Sequence, residues 1–311
     1  MAYPIGTPGV PWGTQEKAQW LAQQQIKRSY HKDVVTALER IGKARSEHCL
    51  ITQYGELRYS ELSYPLYAVQ SKAWQPDLPT MLVTGGVHGY ETSGVHGALR
   101  FIETALSDYA GRANIIVAPC ISPWGYETIN RWNPEAVDPN RSFYTDRYSQ
   151  ESKNIMDYVS AIVAERDADI RLHIDLHETT DTDNSEFRPA LEARDAKEQE
   201  VWDIPDGFYC VGDSLQPAAD LQAAIIASVQ KVTHIAQADS DDRLIGAKIE
   251  QLGVINYPKK ELGLCAGFTQ APFVSTTEVY PDSPRVDDEN CILAQVAAVC
   301  GAIDYVLLLE E

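Results

Sequence analysis

The sequence has no pair of cysteines at C-x-x-C spacing, and its six cysteines are scattered along 311 residues. Such a chain does not suggest a disulfide framework, so we expect most of these thiols to be buried. Basic residues are also few, with 26 Lys and Arg against 45 Asp and Glu and a formal net charge of -19. Because this charge repels phosphate, we expect neither nucleic acid nor an anionic membrane as a partner.

Targeting features are missing as well. The first residues, MAYPIGTPGVPWG, contain no cationic start and no apolar run, so they predict no signal peptide. We also expect no later segment to have the apolar length of a membrane span. These absences predict a cytoplasmic protein that binds no membrane. They leave the oligomeric state open, a homo-oligomer included.

The rest of the composition is that of an ordinary globular chain, 44% hydrophobic and 23% charged, without repeats or a linker. Short apolar runs at 81–86, 114–119 and 170–177 are typical of buried strands, and they alternate with segments of helical spacing. This alternation predicts an α/β sheet with helices on both faces. We expect a single domain over residues 1–311. It carries a surface arm at 1–13 and a polar insertion at 181–206, for which we favour a solvated segment over a rim of the active site.

The remaining elements follow from the same periodicity and propensity arguments. Helices are predicted at 14–45, 92–109, 150–166, 215–237 and 288–309, and strands at 48–53, 64–70, 208–212 and 274–280. Ligands of open α/β sheets bind beyond the carboxyl ends of the strands. The candidate site residues named in the next paragraphs follow the ends of predicted strands.

The most specific feature is His88-Gly-Tyr-Glu91, which directly follows a buried strand and a Gly-Gly pair. Catalytic zinc sites use three protein ligands, and imidazole nitrogen and carboxylate oxygen both suit this ion. His177, at the end of another strand, is the candidate third ligand. Alternation along that strand places His173 and Asp175 on the same face as His177. An HxxE pair alone is common, and His173 is better explained as a hydrogen-bonded core residue than as a ligand.

Four separated elements resemble the zinc carboxypeptidases (carboxypeptidase A-like metallopeptidases) and their succinylglutamate desuccinylase and aspartoacylase relatives. They are HGYE at 88–91, SPWGYETINRW at 122–132, DPNRSF at 138–143, and DLH at 175–177 followed by TTE at 276–278. Each element is weak by itself, and their common order makes the resemblance specific. It implies a three-layer sandwich with a mixed, mostly parallel twisted sheet, and one Zn²⁺ per chain held by His88, Glu91 and His177.

The resemblance also implies the roles of residues around the metal. Glu278 is the general base and Arg131 stabilises the oxyanion, whereas Asn140 and Arg141 bind the substrate's free carboxylate. Asp138 is expected to hydrogen-bond the far nitrogen of His88, with Asp175 in the same supporting layer.

One departure from the family's pattern and one assignment concern the substrate. The family's usual Ser-Tyr after the third ligand is Glu178-Thr179 here. Tyr257 is the candidate for the mobile tyrosine that caps the substrate, with Tyr280 and Tyr209 as alternatives.

The function that this resemblance favours is a metallocarboxypeptidase, a hydrolase that removes the C-terminal residue of a peptide. The alternative is an N-acyl-amino-acid amidohydrolase, and a metal- or peptide-binding pseudoenzyme is a third hypothesis. Either enzyme takes a substrate with a free carboxylate. Only a helical segment follows Glu278, whereas such acylases usually add a β domain, and this favours the peptidase. Glu250 and Glu261 are candidates for an acid that would select basic side chains.

Overall fold

The structure is a computed structural model that describes residues 3–310. The described strands are Cys49–Tyr59 (β1), Leu62–Ser71 (β2), Thr80–Gly85 (β3), Asn114–Ala118 (β4), Ile170–Glu178 (β5), Tyr209–Asp213 (β6), Arg243–Leu244 (β7), Ala247–Lys248 (β8), Val254–Tyr257 (β9) and Phe273–Val279 (β10). The α-helices are Thr14–Ala22 (α1), Thr36–Ala44 (α2), Thr92–Thr104 (α3), Pro123–Thr128 (α4), Gln150–Arg166 (α5), Arg188–Asp195 (α6), Ala219–Val229 (α7) and Asp288–Glu310 (α8).

Eight of the strands form one sheet in the order β1-β2-β4-β3-β5-β10-β6-β9. Parallel pairing joins β4, β3, β5 and β10, and it also joins β6 to β9. Antiparallel pairing adds β1 and β2 at one edge and joins β10 to β6. The predicted α/β sandwich with a mixed, mostly parallel sheet is therefore confirmed.

Strand alternation divides the core between the two faces of the sheet. On β5, Leu172, Ile174 and Leu176 belong to the large apolar cluster that includes α3, α7 and α8. The opposite face of the sheet carries a second cluster, in which α5 covers apolar residues of β3, β4 and β10. Because side chains alternate along a strand, the polar residues of β5 point to this second face.

The predicted helix over 14–45 is interrupted, since residues 23–30 are mostly irregular between α1 and a π-helical turn at His31–Val35. This detour places the Arg28 guanidinium against three acceptors, including the carbonyl oxygens of Gly89 and Tyr126. Tertiary contacts therefore override the helical spacing here. The short elements α4, β7, β8 and β9 were not predicted, and the helix at 215–237 is shorter than expected.

The N-terminal arm is not simply a surface segment. Residues 1–2 lie outside the described part of the chain, but the side chains of Ile5 and Trp12 are buried. The Trp12 ring contacts Trp132 edge-on, with ring centroids 6.0 Å apart. The arm thus extends the apolar core beside the site described below.

Helix α8 corrects a second expectation. Among residues 3–310 it is one helix that is long and apolar enough to cross a membrane by length and composition, so the expectation that no segment has this apolar length was wrong. In this fold α8 packs against α3, α7 and β5, and its Ala294, Ala298 and Ala302 are fully buried. The apolar surface of the helix therefore contributes to the core, as in other α/β folds.

Candidate metal centre

The loop that carries His88 and Glu91 is held in place by close backbone packing. It begins at Gly86, whose φ of +59° suits glycine. A Cβ atom on Gly89 would lie 1.9 Å from the backbone nitrogen of Tyr126, so only glycine allows this approach. The guanidinium of Arg28 donates hydrogen bonds to the carbonyl oxygen of Gly89 and to the hydroxyl of Thr92, both at 2.7 Å.

The side chains of His88, Glu91 and His177 converge at the carboxyl ends of β3 and β5. Their ligand atoms all lie within 4.8 Å of one another, and all three residues are buried. His88 Nδ1 lies 2.7 Å from Glu91 Oε1, and His177 Nδ1 lies 2.6 Å from Glu91 Oε2. The structure thus brings together the three residues that the sequence predicted as a set.

The far nitrogen of each imidazole contacts a second carboxylate. His88 Nε2 lies 2.9 Å from Asp138 Oδ1, and His177 Nε2 lies 2.7 Å from Asp175 Oδ2. Burial lowers the pKa of His177, but the Glu91 and Asp175 carboxylates outweigh it and raise this pKa well above the usual range. Three buried carboxylates around two imidazoles therefore favour a positive charge at this point.

This donor set fits zinc. Two imidazole nitrogens and one carboxylate oxygen are a common ligand set of catalytic zinc, which keeps a further position for water or substrate. Both Nδ1 atoms face Glu91 and each Nε2 is within hydrogen-bond distance of a carboxylate, which is the outer arrangement that fixes the tautomer of a metal-binding histidine. The two remaining carboxylate oxygens are also partnered, Asp138 Oδ2 by Arg131 Nε and Asp175 Oδ1 by the Thr84 hydroxyl, so every oxygen of the three carboxylates has a partner.

Glu278 lies beside the cluster on β10. It is the neighbour of His177 in the parallel pairing of β5 and β10, and it lines the same cavity. Its Oε2 accepts a 2.8 Å hydrogen bond from the hydroxyl of Thr179. Burial raises the pKa of Glu278 to about 8, against the opposing effect of His177. A divalent cation held by Glu91 would lower this pKa again, because positive charge favours the carboxylate.

Arg131 is fixed at the edge of the cluster. Its Nε donates to Asp138 Oδ2 at 3.0 Å, and its Nη1 lies 3.3 Å from both the Tyr90 hydroxyl and Asp183 Oδ1. Asp138 therefore links His88 to Arg131, which couples the position of a candidate metal ligand to that of a guanidinium. No partner of Arg131 Nη2 is found within residues 3–310, so this end of the guanidinium is available to a substrate.

Asn140 and Arg141 lie on a short 3₁₀ turn that also lines the cavity. Asn140 accepts a 2.7 Å hydrogen bond from the backbone nitrogen of Cys265, and its Nδ2 lies 3.5 Å from His177 Nε2. Arg141 is exposed, and its Nη1 donates to the carbonyl oxygen of Asn140 at 2.7 Å. In the described part of the chain no carboxylate lies within 4.0 Å of this guanidinium.

The three candidate tyrosines differ in what their hydroxyl groups contact. The hydroxyl of Tyr209 lies 2.7 Å from that of Thr179, and Tyr280 donates to Asp181 at 2.9 Å. Tyr257 lines the cavity and is half-buried, and its hydroxyl has no hydrogen-bond partner within residues 3–310. Tyr257 is therefore the tyrosine that is free to contact a substrate.

The cavity above the cluster has a volume of about 790 Å³. Its outer wall includes Asp183 and α6, together with residues 198–202, so the polar insertion rims the site and the solvated-segment interpretation was wrong. Glu250 and Glu261 are exposed and do not line the cavity, so neither can select basic side chains there.

Two contributors were not found from the sequence. Glu178 accepts hydrogen bonds from the backbone nitrogens of Thr92 and Ser93 at the start of α3, at 3.1 and 2.6 Å. The backbone nitrogen of Glu178 also donates to Glu91 Oε2 at 3.2 Å. This explains why a glutamate follows the third candidate ligand, since an anion stabilises a helix N-terminus. Arg28 gave no sequence signal, because its partners are about 60 to 100 residues away.

The supporting role of the carboxylates that contact the far nitrogens of the histidines can be tested by Asp175→Asn. Asp175 is fully buried, and its other oxygen accepts a 2.6 Å hydrogen bond from the Thr84 hydroxyl. We expect zinc affinity to fall by about 10- to 100-fold, because the amide holds the His177 tautomer less well. Competition with a zinc chelator measures this, with the exposed Asp157→Asn on α5 as control. Unchanged affinity would contradict the supporting role of Asp175.

Comparisons with known proteins bear on the family and on the fold of the chain. Residues 77–207 match the family described as the succinylglutamate desuccinylase/aspartoacylase catalytic domain. A sequence search of the curated proteins gives no match. The matched segment contains His88, Glu91, Arg131, Asp138, Asn140, Arg141 and His177.

Solved structures share the fold over nearly the whole chain. A putative metallopeptidase from Shewanella amazonensis is 19% identical with a TM-score of 0.67, covering 91% of this chain and 98% of that one. A metallo-carboxypeptidase from Burkholderia cenocepacia is 14% identical (TM-score 0.59), covering 96% and 70%. Carboxypeptidase A from Helicoverpa armigera is 15% identical (TM-score 0.59), covering 96% and 81%.

The family match and the shared fold support a class: hydrolases built on an α/β sandwich, with a possible metal site, the His88, Glu91 and His177 cluster, at the carboxyl ends of the strands. Within that class, the resemblance to a zinc carboxypeptidase-like family related to succinylglutamate desuccinylase is confirmed by residues 77–207 and by the shared fold.

Proposed function

We propose that this chain is a zinc-dependent carboxypeptidase that hydrolyses the C-terminal peptide bond of a peptide. The observation that carries the proposal is Arg141, an exposed guanidinium without a carboxylate partner within residues 3–310, in the cavity that also holds the His88, Glu91 and His177 cluster. A guanidinium binds both oxygens of a carboxylate, so Arg141 is suited to a free C-terminus.

The size of the cavity supports a peptide substrate. At about 790 Å³ it lies in the upper part of the usual range for ligand sites, and it extends from Glu278 to the rim formed by α6. A single N-acyl amino acid would fill only a part of it. The names of the structural neighbours, metallopeptidase and carboxypeptidase, support the same substrate class.

In the proposed reaction, His88, Glu91 and His177 would hold zinc, which would supply a Lewis acid able to make an attacking water acidic enough to react near neutral pH. Glu278 accepts the proton of that water and delivers it to the leaving amine. Arg131 is fixed by Asp138 and Asp183, so its charge already faces the oxyanion that forms at the substrate carbonyl. Tyr257 covers the substrate from the cavity wall.

A substrate panel tests the proposal. Zinc-loaded protein is given N-benzoyl dipeptides, the same dipeptides with an amidated C-terminus, and N-succinyl, N-acetyl and N-formyl amino acids. We expect release of the C-terminal residue from the free acids and at least about 100-fold slower cleavage of the amides, since a charge-assisted bond to Arg141 is then lost. Cleavage of amidated and free peptides at equal rates, or of no peptide, would overturn the proposal.

One observation favours a second candidate. The family match over residues 77–207 is to enzymes described as succinylglutamate desuccinylase and aspartoacylase. An N-acyl-amino-acid amidohydrolase would use the same cluster, the same Glu278 and the same Arg141. Hydrolysis restricted to the N-acyl amino acids of the panel would favour this alternative.

A further inference from the structure

Thr179 joins the proposed general base to a buried phenol. Its hydroxyl lies 2.8 Å from Glu278 Oε2 and 2.7 Å from the hydroxyl of Tyr209. Thr179 and Tyr209 are only 4% and 2% exposed, and both line the cavity. The proposed reaction gives neither of them a role. Thr179 is also the second residue of the Glu178-Thr179 pair, which departs from the family's pattern, so its position requires an explanation.

The sheet itself places these side chains together. His177, Glu278 and Tyr209 are register partners across β5, β10 and β6. The backbone nitrogen of Thr179 donates to the carbonyl oxygen of Val279 at 2.9 Å, which continues the pairing of β5 with β10 by one residue. Because alternate residues of a strand share a face, Thr179 lies on the same face as His177. The contact with Glu278 is therefore set by paired strands and not by a loop.

The direction of the two hydrogen bonds follows from the donors. A threonine hydroxyl has one hydrogen, and a carboxylate can only accept. A general base is a carboxylate before it takes a proton, so Thr179 donates to Glu278 and Tyr209 must donate to Thr179. Burial raises the pKa of Tyr209 well above its usual range, so the phenol keeps its proton. Hydrogen bonds in such a chain polarise one another, which strengthens the one to Glu278.

The chain engages one carboxylate oxygen and leaves the other available. Oε2 of Glu278 is held by Thr179, whereas Oε1 has no hydrogen-bond partner within residues 3–310. A carboxylate that is held at one oxygen cannot rotate freely about its last bond, so the direction of the other oxygen is fixed as well. Reacting groups that are misplaced by about 1 Å can lose roughly 100-fold in rate. The orientation of this carboxylate therefore bears directly on proton transfer.

We propose that Thr179 and Tyr209 are positioning residues that hold Oε2 of Glu278, so that Oε1 is the atom that transfers the proton. The attacking water loses a proton to Oε1, and this proton passes to the leaving nitrogen as the C–N bond breaks. Neither Thr179 nor Tyr209 changes its own protonation state. The inference rests on the proposed function and deepens it, and it applies equally to an amidohydrolase that uses Glu278.

Thr179→Val tests the inference because it keeps the shape of the side chain and removes the hydroxyl. Zinc-loaded full chain is assayed with the substrate of the panel that the wild type cleaves best. We expect kcat to fall by about 10- to 100-fold with unchanged KM and zinc content. Thr179→Ser keeps the hydroxyl and should retain most of the activity. The control is Thr104→Val, at an exposed residue of α3 whose hydroxyl donates to the carbonyl oxygen of Arg100. A wild-type kcat in Thr179→Val would overturn the inference.

Tyr209→Phe tests the outer hydrogen bond. We expect a smaller loss of kcat, about 2- to 10-fold, as for a hydrogen bond between neutral groups. The double variant should be no slower than Thr179→Val, because Tyr209 acts through Thr179. Losses that multiply in the double variant would contradict the chain. Should Thr179→Val not fold, Tyr209→Phe decides by itself, since an unchanged kcat there would also overturn the inference.

The background of Glu278→Gln separates a positioning role from a structural one. With the base removed, adding Thr179→Val should cause no further loss, whereas a structural role would lower kcat by the same factor in both backgrounds. Full activity of Glu278→Gln would contradict the base of the proposed function. A slow Glu278→Gln beside a fully active Thr179→Val would contradict only the inference. No turnover of any substrate in the panel would contradict both.

Discussion

Removal of zinc is expected to abolish hydrolysis and to lower the thermal stability of the protein. Without a divalent cation, the Glu91, Asp138 and Asp175 carboxylates are buried around His88 and His177, and the imidazoles and the Arg131 guanidinium are left to balance them. A ligand that binds only the native state stabilises it by about 4 kcal/mol at 1,000 times its dissociation constant. Dialysis against a chelator followed by a thermal scan and an activity assay measures both effects.

One equivalent of zinc should restore the activity and the melting temperature of the chelated protein. His177→Gln is expected to lose zinc binding and activity, because it removes one of three ligands. His96→Gln is the matched control, since His96 is half-buried on α3 and its imidazole has one hydrogen-bond partner within residues 3–310, the Tyr126 hydroxyl at 3.0 Å. Full activity in the zinc-free protein would show that the cluster is not the catalytic centre.

Glu278→Gln is expected to reduce kcat by a factor of about 10²–10⁴, as for other groups that transfer protons in the reaction. Glutamine has nearly the same shape and still accepts the hydrogen bond from Thr179. It cannot accept a proton from the attacking water. We therefore expect unchanged folding and zinc content and a similar KM, so that the loss appears in kcat alone.

The control for this variant is Glu250→Gln, the same chemical change at an exposed residue outside the cavity. It should keep its activity. If Glu278→Gln hydrolyses the substrate at the wild-type rate, the base is another residue. The loss of zinc from Glu278→Gln would instead assign Glu278 a part in holding the metal.

The residues that surround the candidate metal ligands were harder to predict from the sequence than the ligands themselves. Asn140 is fixed by the backbone nitrogen of Cys265, which is 125 positions away, and Arg28 is fixed by carbonyl oxygens about 60 and 100 positions away. No local pattern encodes such contacts. The polar insertion was misplaced for the same reason, because its composition is that of a solvated segment whether or not it rims a cavity.

The sequence by itself determined the features that depend on local periodicity and on the order of motifs. Alternation along β5 was enough to put His173, Asp175 and His177 on one face, and the HxxE pair after a buried strand indicated where a third ligand must come from. The order of apolar strands and segments of helical spacing along the chain predicted an α/β sheet with helices on both faces.

Only the tertiary structure decided which polar groups are partnered. Within residues 3–310, it left Arg141 exposed in the cavity without a carboxylate, engaged the hydroxyls of Tyr209 and Tyr280 but not that of Tyr257, and buried Lys259 against Thr276. Identical side chains become structural or functional according to which neighbours satisfy their charges and hydrogen bonds. Those neighbours come from distant parts of the chain, so they are defined only when the strands are assembled into the sheet.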